Sequence, residues 1–217
     1  MASLLKDIPL FSGIDDESLM YLERVAVKKS FPKNTILFTK GDETDSLYII
    51  ASGKVKTIII DEDGKEMILS TQGSGEYFGE MSLIDKEPRS ATIMTKKPTQ
   101  MLIIHRDDFL KVFNSNPDMV YGLFKVLLKR LRKSTDKVES LAFKDVYGRI
   151  AGLLTQLAKL ENDKWVIEDK LTHMEIAHMV GCSREMVSKI LKELTIGGYI
   201  STLKKQITIH KKLPRIF

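Results

Sequence analysis

Apolar and polar positions change their spacing along the chain, and the first region has the pattern of a β-structure. Short apolar runs alternate with glycines and acidic turns, which is typical of the strands of a sandwich or barrel. The runs occupy residues 36–38, 47–50, 55–60, 67–69, 91–94 and 100–104. Helices do not alternate with these runs, so we do not expect a dinucleotide-binding α/β unit. Ahead of them, Asp15 is placed to cap a helix with Leu19 and Leu22 on its apolar face.

A helical spacing replaces this pattern beyond residue 106. Residues 107–114 predict a short helix, and Pro117 marks the start of a longer one. In the longer helix, a seam recurs at intervals of three and four residues: Phe124, Leu127, Leu131, Ser134, Val138 and Leu141. This heptad spacing is typical of a two-stranded coiled coil. We therefore expect the helix over residues 116–143 to join a homodimer.

The last region begins with a helix and a strand and then turns into a second helix. Residues 148–160 carry one apolar helical face, and residues 165–167 predict a short strand. Thr172 and Glu175 have the spacing of a capping box at the start of the next helix. We expect that helix to end at Gly181, since glycine suits a helix C-terminus.

A further helix and a hairpin complete this region. Ser183 is placed to cap the helix, whose apolar stripe is Val187, Ile190, Leu191 and Leu194. Residues 199–201 and 206–210 predict the two strands of a hairpin. Two helices joined by a tight glycine turn and followed by a hairpin indicate a winged helix-turn-helix.

Composition limits the location and the chemistry. The 217 residues include one cysteine, Cys182, so no disulfide framework forms within one chain. No apolar run is long enough to span a membrane, and the first residues lack the pattern of a secretory signal, so we expect a cytoplasmic protein. His173 and His178 are five residues apart and share no helix face, so we expect no metal. No nucleophile and base are arranged for catalysis, and we expect no enzyme.

Charge is distributed unevenly. Residues 1–120 hold 15 Lys and Arg against 19 Asp and Glu, a net charge of −4. Residues 121–143 hold 6 against 2, a net charge of +4, and residues 144–217 hold 13 against 8, a net charge of +5. A basic second half favours a polyanionic partner, although solvated lysine-rich helices would give the same balance.

Residues 78–93, which we call the cassette, carry the groups that a ligand with one phosphate and one ribose needs. Arg89 offers a planar fork of donors to phosphate oxygens, and Ser90 adds a hydroxyl. Glu80 suits a sugar hydroxyl, and Gly79 lets backbone approach a ligand closely. A surface turn with an Arg–Glu pair is the alternative interpretation of any single member of this set.

The whole cassette resembles the phosphate-binding segment of cyclic-nucleotide-binding domains, which has Gly-Glu, an acidic turn and Arg-Ser-Ala. The spacing from Gly41 through Tyr48 to Gly53 is similar to the strand–turn–strand that precedes it in that family. The resemblance implies a jelly-roll-like β-roll with the ligand inside. It places Glu80 on a ribose 2′-hydroxyl, with Arg89 and Ser90 on a cyclic phosphate.

The long helix extends the resemblance to the cyclic-AMP receptor protein family. There, two adjacent hydroxyl residues of this helix meet the adenine amino group, one from each subunit. By that match, Ser134 serves the ligand of its own subunit and Thr135 that of the partner. Alternatively, Ser134 only sets the register of the dimer. The ligand-binding residues that the resemblance implies are Gly79, Glu80, Met81, Arg89, Ser90, Ser134 and Thr135.

The second helix of the helix-turn-helix carries candidate base-reading side chains. Arg184 offers a fork of donors that suits guanine O6 and N7, while Glu185 accepts from cytosine N4. The string over residues 180–185 resembles the family's reading segment, and Lys189 stands where the family commonly has arginine. The candidate DNA contacts are Ser183, Arg184, Glu185, Ser188 and Lys189.

Together these features predict an α+β protein with three parts. They are a β-roll over residues 1–115, a dimerisation helix over 116–143 and a winged helix-turn-helix over 144–217. The resemblance implies a cyclic-AMP-responsive homodimeric transcription regulator on a palindromic operator, with RNA polymerase as a candidate partner. One alternative is the same regulator with cyclic di-GMP or no effector. Another is a nucleotide-binding module that acts on a partner protein.

Overall fold

The computed structural model describes residues 5–6, 8–161, 164–169, 171–203 and 206–214. The chain forms two compact units, residues 1–132 and 133–217, and the long helix belongs to both. The predicted three-part division stays a prediction. Among the described residues, no helix is both long and apolar enough to cross a lipid bilayer.

Two four-stranded antiparallel sheets make up most of the N-terminal unit. Their strand orders are β1-β8-β3-β6 and β2-β7-β4-β5. The strands are β1 (Val27–Phe31), β2 (Ile36–Phe38), β3 (Ser46–Ser52), β4 (Lys54–Ile60), β5 (Glu66–Gly73), β6 (Tyr77–Phe78), β7 (Thr92–Thr95) and β8 (Thr99–His105). This arrangement confirms the predicted β-roll. The sequence pattern did not predict β1, whose residues are mostly exposed and polar, or β6, which has two residues.

Four helices accompany the sheets. They are α1 (Asp16–Val25), α2 (Glu80–Asp85), α3 (Arg106–Ser115) and α4 (Pro117–Phe143), and a 3₁₀ turn spans Pro9–Phe11. The predicted cap of α1 is confirmed, because an Asp15 carboxylate oxygen accepts from the Ser18 N–H at 2.7 Å. The short helix α2 lies inside the cassette. Residues of α1, α3 and the start of α4 pack into one apolar core with β3 and β8.

One face of α4 packs against the N-terminal core, and the other face is exposed. Leu123, Val126 and Leu127 contact the N-terminal core. On the other face, Phe124 is 60% exposed and Val138 is 66% exposed. Leu127 packs against the N-terminal core, whereas the neighbouring Leu128 is 49% exposed.

The open stripe of α4 therefore has a different register from the predicted seam. Leu128 takes the place of Leu127, and farther along the helix Ser134 and Thr135 are both exposed. The open stripe consists of Tyr121, Phe124, Leu128, Leu131, Thr135 and Val138. Its spacing is still three and four residues, which is the spacing of a coiled coil.

The C-terminal unit has the predicted winged helix-turn-helix elements. They are α5 (Val146–Leu157), β9 (Lys159–Glu161), β10 (Lys164–Ile167), α6 (His173–Val180), α7 (Arg184–Ile196), β11 (Ile200–Leu203) and β12 (Gln206–Ile209). The strand order is β11-β12-β10-β9. The prediction of helix up to residue 160 was wrong, because Ala158 is extended and Leu160 pairs with Trp165 in a hairpin.

The local signals of this unit are confirmed. Thr172 and Glu175 form both hydrogen bonds of the capping box, and Gly181 ends α6 with φ of 69°. Ser183 caps α7. RNA polymerase stays a candidate partner.

Candidate functional site

Arg89 is buried in the cassette and held by three hydrogen bonds. Arg89 as a whole is 4% exposed. Nε donates to Thr44 Oγ1 at 2.6 Å, Nη1 donates to the Gly79 carbonyl at 2.8 Å, and Nη2 donates to the Ser46 carbonyl at 2.8 Å. A guanidinium has five N–H donors. Three of them make these hydrogen bonds, and the other two N–H donors have no acceptor among the described residues. The fold therefore fixes the plane of the guanidinium and leaves one donor on each Nη.

Gly79 makes room for this arginine. Its φ is +89°, and a Cβ there would lie 2.6 Å from Arg89 Nη1 and 2.8 Å from the Ser46 carbonyl oxygen. Any side chain would thus collide with the group that holds the guanidinium. We expected Gly79 to admit the ligand, and the structure shows that it first admits Arg89.

Aromatic rings line one side of the buried charge. The Arg89 guanidinium carbon lies 4.3 Å from the centroid of the Phe38 ring and 5.9 Å from that of Tyr48. Burial lowers the pKa of Arg89, and the nearby Tyr48, Glu80 and Asp45 oppose that shift. An arginine keeps its charge even so. A buried cation whose donors are only partly used attracts an anion strongly, because the surroundings screen it weakly.

Glu80 is the second buried charge, and an unpredicted arginine holds it. The residue is 1% exposed, and its Oε1 accepts a hydrogen bond from Arg130 Nη1 of α4. Arg130 Nη2 also donates to the Tyr77 carbonyl at 2.6 Å. Burial raises the pKa of Glu80, while Arg130 and Arg89 favour its charged form. Among the described residues, Glu80 Oε2 is buried with no hydrogen-bond partner, so it is an acceptor without a donor.

The sequence contained one signal for Arg130 that we did not use. Arg130 precedes Ser134 by four residues, so the two share a face of α4. Ser134 and Thr135 are both exposed and belong to the second compact unit. Their predicted ligand contacts stay predictions.

The remaining cassette residues are Met81, in the first turn of α2, and Ser90, beyond its end. Met81 and Ser90 are both exposed, and Ser90 Oγ lies 4.0 Å from Met81 Sδ. The structure thus brings all five predicted cassette residues to one place, with two charges inside and two neutral side chains outside. The members of this set are Gly79, Glu80, Met81, Arg89 and Ser90.

The predicted DNA-reading side chains lie on the open side of α7. Val187 and Leu194 are buried, whereas Arg184, Glu185 and Lys189 are exposed. The helix is anchored through its apolar stripe, and its polar side is left to a partner. Cys182, in the turn before the helix, packs against the apolar core of this unit, as expected.

Ser188 has closer partners than the sequence suggested. Its Oγ donates to the Arg184 carbonyl at 3.0 Å and lies 2.7 Å from Nδ1 of His173 on α6. The serine therefore ties the two helices together on the exposed side. We weighed His173 only as a metal ligand, and the described residues contain no group of side chains suited to a metal. Its place at the start of α6 makes it part of the candidate DNA surface.

Comparison with known proteins places both units. The cyclic nucleotide-binding domain model matches residues 28–116, and the Crp-like helix-turn-helix domain model matches residues 148–212. The cAMP-activated global transcriptional regulator CRP of Pasteurella multocida is 37% identical over 202 residues, which cover 91% of this chain and 96% of that protein. A CRP-like cAMP-activated regulator of Mycobacterium tuberculosis is 33% identical over 213 residues, covering 96% and 95%.

A solved structure has the same fold along almost the whole length. The c-di-GMP responsive global regulator CLP of Xanthomonas campestris has a TM-score of 0.79 and 28% identity, covering 91% of this chain and all of that one. The Thermus thermophilus catabolite activator protein has a TM-score of 0.56 and 30% identity, with 93% of each chain covered. The chain belongs to the CRP family of bacterial transcription regulators, which bind a cyclic nucleotide through the β-roll and DNA through the helix-turn-helix.

Proposed function

We propose that the chain is a cyclic-AMP-responsive homodimeric regulator, in which the ligand shifts the dimer toward its operator-binding state. The observation that carries this proposal is the pair of buried charges in the cassette, Glu80 at the start of α2 and Arg89 beyond its end. Arg89 retains two N–H donors, and Glu80 retains one buried acceptor oxygen. A 3′,5′-cyclic mononucleotide offers the matching groups, namely one phosphate and one ribose 2′-hydroxyl.

The phosphate is the stronger attraction. One N–H donor remains on each Nη of Arg89, and charge-assisted hydrogen bonds from a guanidinium to phosphate oxygens are among the stronger ones. The three protein contacts of Arg89 hold the fork in place before the ligand arrives. Little side-chain ordering is then left for the binding step, which favours affinity.

The ribose completes the match. A buried acceptor without a donor costs about 1–3 kcal/mol, and a 2′-hydroxyl that donates to Glu80 Oε2 removes that cost. Burial raises the pKa of Glu80, and the contact of Arg130 with Oε1 opposes that rise and leaves Oε2 as the acceptor. A 2′-deoxy ligand lacks this donor and leaves the oxygen unpaired.

The number of charged groups and the names of the relatives support cyclic AMP as the effector. A single buried arginine suits one phosphodiester, whereas cyclic di-GMP carries two. The relatives named as cAMP-activated are 33–38% identical to this chain, and the c-di-GMP responsive regulator is 28% identical. Cyclic di-GMP is the second candidate, because the fold of that regulator covers almost all of this chain.

The open stripe of α4 supports the dimer. Four of its large apolar side chains are at least 49% exposed: Phe124, Leu128, Leu131 and Val138. A second copy of the helix would bury them in a two-fold coiled coil. Thr135 lies on the open stripe, which agrees with its predicted role toward the ligand of the partner. Ser134 lies on the same face of α4 as Arg130, which agrees with its predicted role toward the ligand of its own subunit.

A two-fold dimer presents two reading helices to DNA. Such helices meet successive major grooves about one turn apart, on a palindromic operator. The ligand shifts this equilibrium only if it binds the competent arrangement more tightly than the other. Arg184 and Glu185 would read base edges, with Lys189 one turn farther along α7.

Calorimetric titration of the nucleotide-free protein tests the effector. We expect cyclic AMP to bind at one per subunit and more tightly than cyclic di-GMP. Cyclic AMP should not bind measurably to Arg89→Gln, whereas Lys86→Gln, which removes a neighbouring exposed charge, should bind it normally. Tighter binding of cyclic di-GMP, or unchanged binding by Arg89→Gln, would overturn the assignment.

A further inference from the structure

A second polar pair lies inside the β-roll, away from the charged groups. Gln72 of β5 is 8% exposed, and its Oε1 accepts a hydrogen bond from Thr57 Oγ1 of β4 at 3.0 Å. Within the described part of the chain, this is the hydrogen bond that the carboxamide makes. In either orientation of the carboxamide, one of its polar atoms has no protein partner. Among the described residues, the amide nitrogen of Gln72 is not one of the fully buried polar atoms that lack a partner, so it remains open to a ligand or solvent.

The strand register places this pair on the inner face of the sheet. Gln72 stands directly opposite Val55, and Thr57 stands directly opposite Ile93. Directly opposite residues of antiparallel strands project to the same face. Val55 and Ile93 are both buried in one apolar cluster, so Gln72 and Thr57 project into the same interior.

That interior is also the interior of the cassette. The cluster around Val55 and Ile93 includes Phe38 and Phe78. The Arg89 guanidinium lies over the Phe38 ring, and Phe78 precedes Gly79. The pair of Thr57 and Gln72 therefore faces the space in which Arg89 and Glu80 hold their ligand.

We propose that Gln72 recognises the base of the bound cyclic nucleotide, with Thr57 as the residue that positions its carboxamide. This inference rests on the proposed function, which assigns the phosphate to Arg89 and the ribose to Glu80 and leaves the base edge without a polar partner in the β-roll. The Thr57 hydroxyl holds the amide oxygen, so the NH₂ group is presented to an acceptor on the base, a ring nitrogen or a carbonyl oxygen. A carboxamide suits this role because it discriminates bases by their donors and acceptors.

A purely structural role explains the pair less well. Its neighbours Val55 and Ile93 are apolar, and an apolar side chain of similar size would fill the space without burying an amide. The Thr57 hydroxyl holds the amide oxygen, and the amide nitrogen is left to donate to a base acceptor in the complex. The pair is thus expected to set which base is preferred rather than whether a cyclic phosphate binds.

Calorimetric titration with cyclic AMP, cyclic GMP, cyclic CMP and cyclic UMP tests the inference. The variants are Gln72→Leu, Thr57→Val, Thr57→Ser and the control Thr71→Val. Thr71 is next to Gln72 on β5 and pairs with Lys56 of β4. Its side chain therefore projects to the other face of the sheet. Thermal unfolding of each variant checks that the β-roll is intact.

The wild-type protein is expected to prefer one base. In Gln72→Leu, affinity for the preferred nucleotide falls about tenfold, while affinity for the least favoured one stays the same, as the loss of one hydrogen bond predicts. Thr57→Val gives a smaller loss of the same kind, Thr57→Ser restores the preference, and Thr71→Val changes nothing. If Gln72→Leu does not fold, the pair of Thr57 variants gives the same test.

Three results would overturn the inference. Equal losses for all four nucleotides would make the pair structural. An unchanged preference in Gln72→Leu would remove it from the base site, and in both cases the proposed cyclic-nucleotide binding would stand. Binding of none of the four nucleotides by the wild-type protein would overturn this inference together with the proposed effector.

Discussion

The cassette keeps its charged groups inside the fold, whereas α7 keeps its charged groups outside. Glu80 and Arg89 are almost completely buried, and each is held by hydrogen bonds from other elements. On α7, Arg184 and Lys189 are exposed, and the helix packs into the unit through its apolar stripe. The ligand of the first region must be small enough to enter a β-roll, and that of the second can be of any length.

The difference determines what each region contributes to binding. Buried charges are screened weakly, and the fold has already ordered them, so one arginine accounts for much of the affinity for a small anion. Exposed charges are screened by salt and remain mobile, so the binding of DNA is shared among several side chains. Single substitutions are therefore expected to have larger effects in the cassette than on α7.

Arg89→Gln is expected to have the largest effect. It removes two charge-assisted hydrogen bonds to phosphate, about 3–6 kcal/mol, or at least a hundredfold in cyclic AMP affinity. Calorimetric titration measures the loss. An affinity within about threefold of wild type would place the phosphate elsewhere, and Lys86→Gln is the control for the change in charge.

Leu128→Asp on the open stripe is expected to dissociate the dimer. A charge at that position would be buried in the coiled coil against its own copy, which is unfavourable. Light scattering after size-exclusion chromatography measures the mass. The control Lys133→Asp lies on the opposite side of α4 and should remain dimeric. A dimeric Leu128→Asp would contradict the register of the open stripe.

Glu80→Gln tests the second buried charge with a smaller expected effect. We expect cyclic AMP affinity to fall about tenfold, because a neutral oxygen accepts the 2′-hydroxyl more weakly than a carboxylate does. The matched ligand is 2′-deoxy cyclic AMP, whose affinity should be low in wild type and almost unchanged by the substitution. An equal loss for both ligands would separate Glu80 from the ribose.

Arg184→Ala is expected to cost about 1–3 kcal/mol on the cognate operator and to relax discrimination at one base pair. Fluorescence anisotropy with a set of operators, each changed at one base pair, measures both effects. Lys192→Ala, an exposed change farther along α7, should weaken binding less and equally on all sequences. If Arg184→Ala did the same, Arg184 would contact phosphate rather than a base.

The sequence predicted the features that depend on residues close together in the chain. The capping box at Thr172, the turn at Gly181 and the cap at Ser183 are local, and the sequence predicted all three. The cassette motif was also local, so Glu80 and Arg89 were found.

Contacts between distant parts of the chain were missed. Arg130 meets Glu80 across 50 residues, and Gln72 meets Thr57 across 15, and neither pair has a local pattern. The register of the α4 stripe was missed for a similar reason. Whether Leu127 or Leu128 stays open depends on the core that packs against the helix, and heptad spacing alone does not contain that information.

The central claim is that a nucleotide held by Arg89 controls DNA binding by α7. Fluorescence anisotropy of a palindromic operator, titrated with nucleotide-free protein in the presence and absence of cyclic AMP, tests it most directly. We expect cyclic AMP to tighten binding at least tenfold in wild type and to have no effect in Arg89→Gln, with the same weak binding by both proteins without nucleotide. Equal affinity with and without cyclic AMP in wild type, or an undiminished response in Arg89→Gln, would contradict the account.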